Sequence, residues 1–154
     1  MPRFESIRKL QPADAVESFD CGQPALNQFL QRYALNNQRA NSAQTYVCCE
    51  NGAVVGFYSL TVGSVDHLSA PVMILARLAI DQTFQRRGLG RALLKNALQR
   101  TLQAADIAGI RAVLVHAKDD TARQWYQGFD FKVGPTDPFH LFLVLKDLKT
   151  LLGE

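Results

Sequence analysis

The chain has 154 residues, 47% of them hydrophobic and 20% charged, the balance of one folded domain and not of a disordered tail or a fibre. Its 17 basic and 14 acidic side chains leave a net charge of +3, too small by itself to mark a nucleic-acid-binding protein. No apolar run approaches the ~20 residues of a membrane span, and the opening MPRFESIRKLQPAD lacks the apolar core of a secretory leader, so a cytoplasmic protein without membrane contact is expected.

In chain order, a short N-terminal strand comes first. Helical punctuation follows at Cys21-Gly22-Gln23-Pro24, where Pro24 suits a first helical turn. Leu26, Phe29, Leu30, Tyr33 and Ala34 then recur at helical spacing, and the polar residues 36–42 end that helix. Residues 44–50 read as a strand, Asn51-Gly52 as a two-residue hairpin turn, and residues 53–62 as the antiparallel return. Residues 71–80 form a near-continuous apolar run with Arg77 as its one charge, which predicts a central buried strand. Leu94, Ala97, Leu98, Leu102 and Ala105 mark the buried stripe of a helix closed by Gly109. Residues 112–115 are a further short strand. Asp119 and Asp120 can cap a helix that begins near Thr121 and turns out at Gly128. Strands are expected from residue 129 and over residues 139–145. Residues 73–116 then require a parallel pair joined by a right-handed crossover in an α/β mixture. Cys21, Cys48 and Cys49 fit neither a disulfide framework nor a zinc site, and no metal site is expected.

One stretch, Phe84-Gln85-Arg86-Arg87-Gly88-Leu89-Gly90-Arg91, crowds two glycines and three arginines at a helix start. Glycine is costly inside a helix and like charges repel, so a negative ligand is implied. A helix start offers unpaired N–H groups and about half a positive charge, and it binds phosphate. Gly88 and Gly90 let a phosphate approach the backbone. A Rossmann fingerprint is excluded because Leu93 stands at its third glycine position, and a Walker loop is absent. On these residues alone a tight turn without a ligand stays open.

Residues 85–90 resemble Q/R-x-x-G-x-G/A, the acyl-CoA pyrophosphate motif of the GNAT acetyltransferases. The resemblance extends to Leu75-Ala76-Arg77-Leu78-Ala79-Ile80 before it and to Trp125-Tyr126-Gln127-Gly128-Phe129 after it. It covers most of the chain and implies a single GNAT domain over residues 1–154, with a central mixed sheet of about six or seven strands flanked by helices. Within that family, residues 19–26, 44–47, 55–60 and 115–120 are similar to segments of the toxins of toxin–antitoxin pairs, which acetylate the free amine of aminoacyl-tRNA and block translation. Cys21, Ala76 and Trp125 stand where Ser, Gly and Phe are common in that group.

The resemblance implies acetyl-CoA as acetyl donor, held by Gln85, Arg86, Arg87, Gly88, Leu89, Gly90 and Arg91. It implies carbonyl polarisation by the backbone of Leu78, Ala79 and Ile80. Tyr126 is implied as the acid that protonates the leaving thiolate, since a phenol near ~10 can serve a thiol near ~8.5 without a large shift. Arg77, Lys95 and Lys118 are expected on the substrate side, where cations beyond those the cofactor needs would follow an acceptor stem. The amine needs no dedicated base, because an α-amine near ~8 is already substantially neutral. His116 reads as a strand-end histidine or a base, and His140 carries no signal. A ribbon-helix-helix antitoxin and a homodimer are implied as partners. Alternatives are a GNAT enzyme acting on a small amine or a protein N-terminus, and a domain that binds acyl-CoA without catalysis.

Overall fold

The structure, a computed structural model, describes residues 4–65 and 70–153. Strands β1 (Arg8–Lys9), β2 (Gln44–Glu50), β3 (Ala53–Val65), β4 (Ala70–Ile80), β5 (Ala112–His116), β6 (Lys132–Val133) and β7 (His140–Val144) form one sheet in the order β1-β2-β3-β4-β5-β7-β6. The helices are α1 (Pro24–Gln28), α2 (Ala34–Arg39), α3 (Leu89–Ala108), α4 (Asp120–Gln127) and α5 (Leu145–Leu151). The pairs β1/β2, β2/β3, β5/β7 and β6/β7 are antiparallel and β4/β5 is parallel, so the sheet is mixed, with β4 in the middle as its apolar run predicts. Among the described residues no helix is long and apolar enough to cross a membrane. The chain divides into two compact units, Met1–Thr61 with Arg77–Ala97 and Val62–Ala76 with Leu98–Glu154.

In the first unit, Phe57 is fully buried, with Phe19 edge-on at 5.5 Å and Phe29 stacked at 6.2 Å. Burying such a side chain contributes about 2–3 kcal/mol. Pro24 opens α1, where its missing N–H costs nothing. The spacing of apolar residues predicts uninterrupted α-helix beyond it. Instead Phe29–Tyr33 widens into a π-type turn, with Ala34 N donating to Phe29 O five residues back. After that turn Gln38 ties β2 to the residue that follows β1: its Oε1 accepts from Thr45 N at 3.0 Å and its Nε2 donates to Leu10 O at 2.9 Å. The hairpin at Asn51-Gly52 has the positive φ of 52° and 80° that its sequence demands. Leu93, Leu94 and Ala97 of α3 are buried, and a Cβ at Gly56 on β3 would meet Leu93 Cδ1 at 2.9 Å and Leu89 Cδ2 at 3.2 Å. The bare backbone at Gly56 therefore lets the first turns of α3 lie close against β3.

In the second unit, β4 and β5 pair through Met73↔Val113, Ile74↔Leu114 and Leu75↔Val115. β5 and β7 pair from Ala112↔Val144 to His116↔His140. Asp119 caps α4 as expected, its Oδ1 accepting from Ala122 N at 2.8 Å. Two expectations are corrected here. No strand begins at Phe129, because the amides of Gly128, Phe129 and Asp130 still donate to carbonyls of α4; the turn takes its positive φ (70°) at Asp130 and not at Gly128, and β6 starts at Lys132. The last strand stops at Val144, where Leu145 opens α5 and sends Leu148 into the core. Leu145, Leu148 and Leu151 carry a helical period that the preceding alternation masks.

Candidate active site

The loop after β4 is fastened from three sides within the first unit. Asp81 caps the short turn Gln82–Phe84, its Oδ1 accepting from Thr83 N at 2.9 Å while its Oδ2 accepts from Asp20 N at 3.0 Å. Gln82 N donates to Asp20 O at 2.8 Å. Asp20 in turn accepts from Gly22 N at 2.9 Å and Asn27 Nδ2 at 3.0 Å, and these bonds hold its carboxyl below the usual range. Gln85 completes the fastening, its Nε2 donating to Ile80 O at 2.9 Å and Cys21 O at 3.3 Å. The segment Asp20-Cys21-Gly22 is thus part of the loop's foundation, a role that spacing in the sequence did not reveal.

Beyond Gln85 the backbone turns through positive φ at Arg86 (64°) and Gly88 (80°), and α3 starts at Leu89. A Cβ placed on Gly88 would find no atom within 4 Å among the described residues. Ala92 N donates to Gly88 O at 3.1 Å, which makes Gly88 the carbonyl that opens the helix. No acidic residue stands in the first turn of α3, and the side chains of Arg86, Arg87 and Arg91 are exposed. Left-handed residues before a helix start arrange successive amides into an anion-binding concavity. These residues fit a diphosphate: an open backbone at Gly88, a helix start and the exposed side chains of Arg86, Arg87 and Arg91.

Leu78, Ala79 and Ile80 precede this loop. The registered pairing of β4 with β5 ends at Leu75, so among the described residues these three have no partner in β5. Ala79 is buried in the core, and the Ile80 carbonyl is taken by Gln85. Arg77 lays its guanidinium over the Phe29 ring, 3.7 Å from the centroid, and half-burial lowers its pKa. Cation–π stacking explains how an apolar strand carries this charge. Lys95 is exposed on α3.

Tyr126 and Lys118 belong to the second unit. Tyr126 lies on α4 with 9% of its surface exposed, its ring 5.0 Å from Trp125 and 5.5 Å from Phe131. Burial pushes its phenol well above the ordinary value of about 10. The expectation of an unshifted phenol is corrected accordingly. Lys118 is exposed just before the Asp119 cap. Cys48 and Cys49 are buried free thiols, and burial raises both, Cys48 to about 11, which disfavours the thiolate. Sequence reading missed the grouping of His116, His140 and Asp137, because the strand register that joins them is a tertiary feature.

A mixed sheet whose middle strand runs into an amide-lined, cation-rimmed helix start is the frame of an enzyme that takes an acyl group from coenzyme A. Residues 13–140 match the family model for the acetyltransferase (GNAT) domain, and the chain belongs to that family; it is an N-acetyltransferase that uses acetyl-CoA. The sequence is 44% identical, over 166 aligned positions spanning all of both chains, to the tRNA-acetylating toxin of Mycobacterium tuberculosis. AtaT complexed with acetyl-methionyl-tRNAfMet superimposes with a TM-score of 0.90 at 25% identity, covering 97% of this chain and 99% of that one. A tyrosine-to-phenylalanine mutant of the AtaT toxin, bound to acetyl-CoA and the C-terminus of the antitoxin AtaR, superimposes with a TM-score of 0.88 at 28% identity, covering 97% and 98%.

Proposed function

We propose that this acetyltransferase is a cytoplasmic toxin that acetylates the free α-amine of aminoacyl-tRNA and so stops translation. The observation that carries this reading is the full-length 44% identity to a tRNA-acetylating toxin. The likeness to AtaT complexed with acetyl-methionyl-tRNAfMet supports it, and the likeness to a toxin bound to its antitoxin supports an antitoxin partner here, of the ribbon-helix-helix class. A homodimer of single-domain chains, residues 1–154, completes the proposal.

The donor supplies the acetyl thioester. In this reading Gln85 to Arg91 hold its diphosphate through backbone amides and the guanidinium groups of Arg86, Arg87 and Arg91. Gln85 acts by holding the loop in shape. Backbone N–H groups of Leu78, Ala79 and Ile80 polarise the carbonyl. Tyr126 keeps its proton and gives it to the departing sulfur. Arg77, Lys95 and Lys118 meet the phosphates of the acceptor stem.

The test is expression of the parent and of Tyr126→Phe, with tRNA recovered and the amino-acid end analysed by mass spectrometry. The parent should arrest growth and yield N-acetylated aminoacyl-tRNA. The variant should fold alike and transfer about 10²–10⁴-fold more slowly. Normal growth with unmodified tRNA, alongside transfer to small amines or protein N-termini, would replace aminoacyl-tRNA with such an amine as substrate.

A further inference from the structure

Three ligand-bearing side chains converge at one end of the β5–β7 ladder, in the second unit and independently of the acetyl-transfer reading. His116 and His140 are register partners on antiparallel strands, so their side chains leave the same face of the sheet. Their rings stand edge to face with centroids 4.5 Å apart, and His140 Nε2 lies 3.2 Å from His116 Nδ1. Asp137 brings Oδ2 to 3.8 Å from the same His140 Nε2. All three ligand atoms lie within 4.8 Å of one another.

The 3.2 Å between the two histidine nitrogens, now a hydrogen-bond distance, matches a coordination shell, and Asp137 Oδ2 at 3.8 Å would close in by about half an ångström on an ion. Two ligands at ~2.0–2.1 Å from a tetrahedral ion are separated by about 3.3 Å. The second contacts of the group also fit. Asp137 Oδ1 accepts from Phe139 N at 2.8 Å, which fixes the carboxylate plane and leaves Oδ2 toward the histidines. His140 N donates to Asp137 O at 3.1 Å, and His140 O accepts from Gly134 N at 2.7 Å, so the backbone on both sides of His140 is pinned. Such outer bonds orient ligands before an ion arrives. His116 is exposed and the other two are half-buried, which leaves the remaining coordination positions open to water.

The geometry points to a two-histidine, one-carboxylate site for a divalent first-row transition ion, formed by His116, His140 and Asp137. Nitrogen and oxygen donors at this spacing suit Zn2+. Bound there, the ion would clamp the turn that carries Asp137 to the end of the β5–β7 ladder.

The test uses the full chain without a histidine tag, titrated with Zn2+ by calorimetry and with Co2+ by visible absorption. One Zn2+ per chain is expected, with a Co2+ spectrum of four- or five-coordinate character. His140→Gln and Asp137→Asn, each checked for a native melting curve, should weaken binding at least about tenfold, and His116→Ala together with His140→Gln should abolish it. No saturable uptake by the parent overturns the assignment. Uptake unchanged in a folded His116→Ala, His140→Gln chain also overturns it, by locating the ion elsewhere.

Discussion

Tyr126, the proposed proton donor, sits in a place that makes giving up a proton difficult. Burial between Trp125 and Phe131 raises its phenol above the ordinary value, so it stays loaded at every physiological pH. Burial also makes it a weaker acid, so the proposed transfer requires negative charge to grow on sulfur in an equally dry setting. The same shift has a stability consequence. The folded state holds this proton more tightly than the unfolded chain, so the contribution is fully present below about pH 10 and is lost as pH rises beyond it. Urea midpoints of the parent and Tyr126→Phe should therefore run parallel from pH 7 to 9, and the parent should fall relative to the variant above about pH 10. Gly88 makes the opposite demand, for emptiness. Gly88→Ala should cost about 1–2 kcal/mol of stability through its φ of 80° and should weaken acetyl-CoA binding measured by calorimetry. An unchanged affinity would remove the diphosphate from this notch. The sequence singled out both residues, and these measurements test the roles proposed for them. The burial of Tyr126 was not legible there, because it depends on Phe131, which the sequence placed in a strand.

At the scale of elements, local chemistry made most of the fold legible. The hairpin followed from Asn51-Gly52, α4 from the Asp119 cap, and β4 from an apolar run with a single charge. The π-type turn and α5 did not follow, because the residues of each satisfy two periodicities and packing decides between them. The attachment of β1 was equally hidden. Arg8 grips Asp14 with two bonds of 2.8 Å, and Gln11 N adds a third to the same carboxylate. The Arg8 guanidinium, more than any other cause, holds the Asp14 carboxyl below the usual range. Asp14 therefore contributes stability above its unfolded value near ~3.9 that disappears as pH falls through the lowered one. Asp14→Asn should cost about 1–2 kcal/mol at pH 7, a figure reduced for the partial exposure of Arg8, and the gap from the parent should close below about pH 4 in chemical denaturation.

At the scale of the molecule, a net charge of +3 says little, whereas its placement says more. Arg77, Lys95 and Lys118 are proposed to meet tRNA phosphate. If each neutralises one, replacing any of them by Met should lower the slope of log affinity against log salt by about 1, read from filter binding between 50 and 200 mM. An unchanged slope in all three would remove these residues from the tRNA contact. The wide turn at Phe29–Tyr33 has an effect of a different kind. It accommodates a residue that a regular α-helix would not need. Excising one residue there would let the coil close into regular α-helix, because the wide turn spreads one extra residue over nearly the same rotation. Gln38 would then keep its aim at Leu10 and Thr45 while the widened face at Phe29 to Tyr33 was lost, so the extra residue shapes that face alone and no hydrophobic count would flag it.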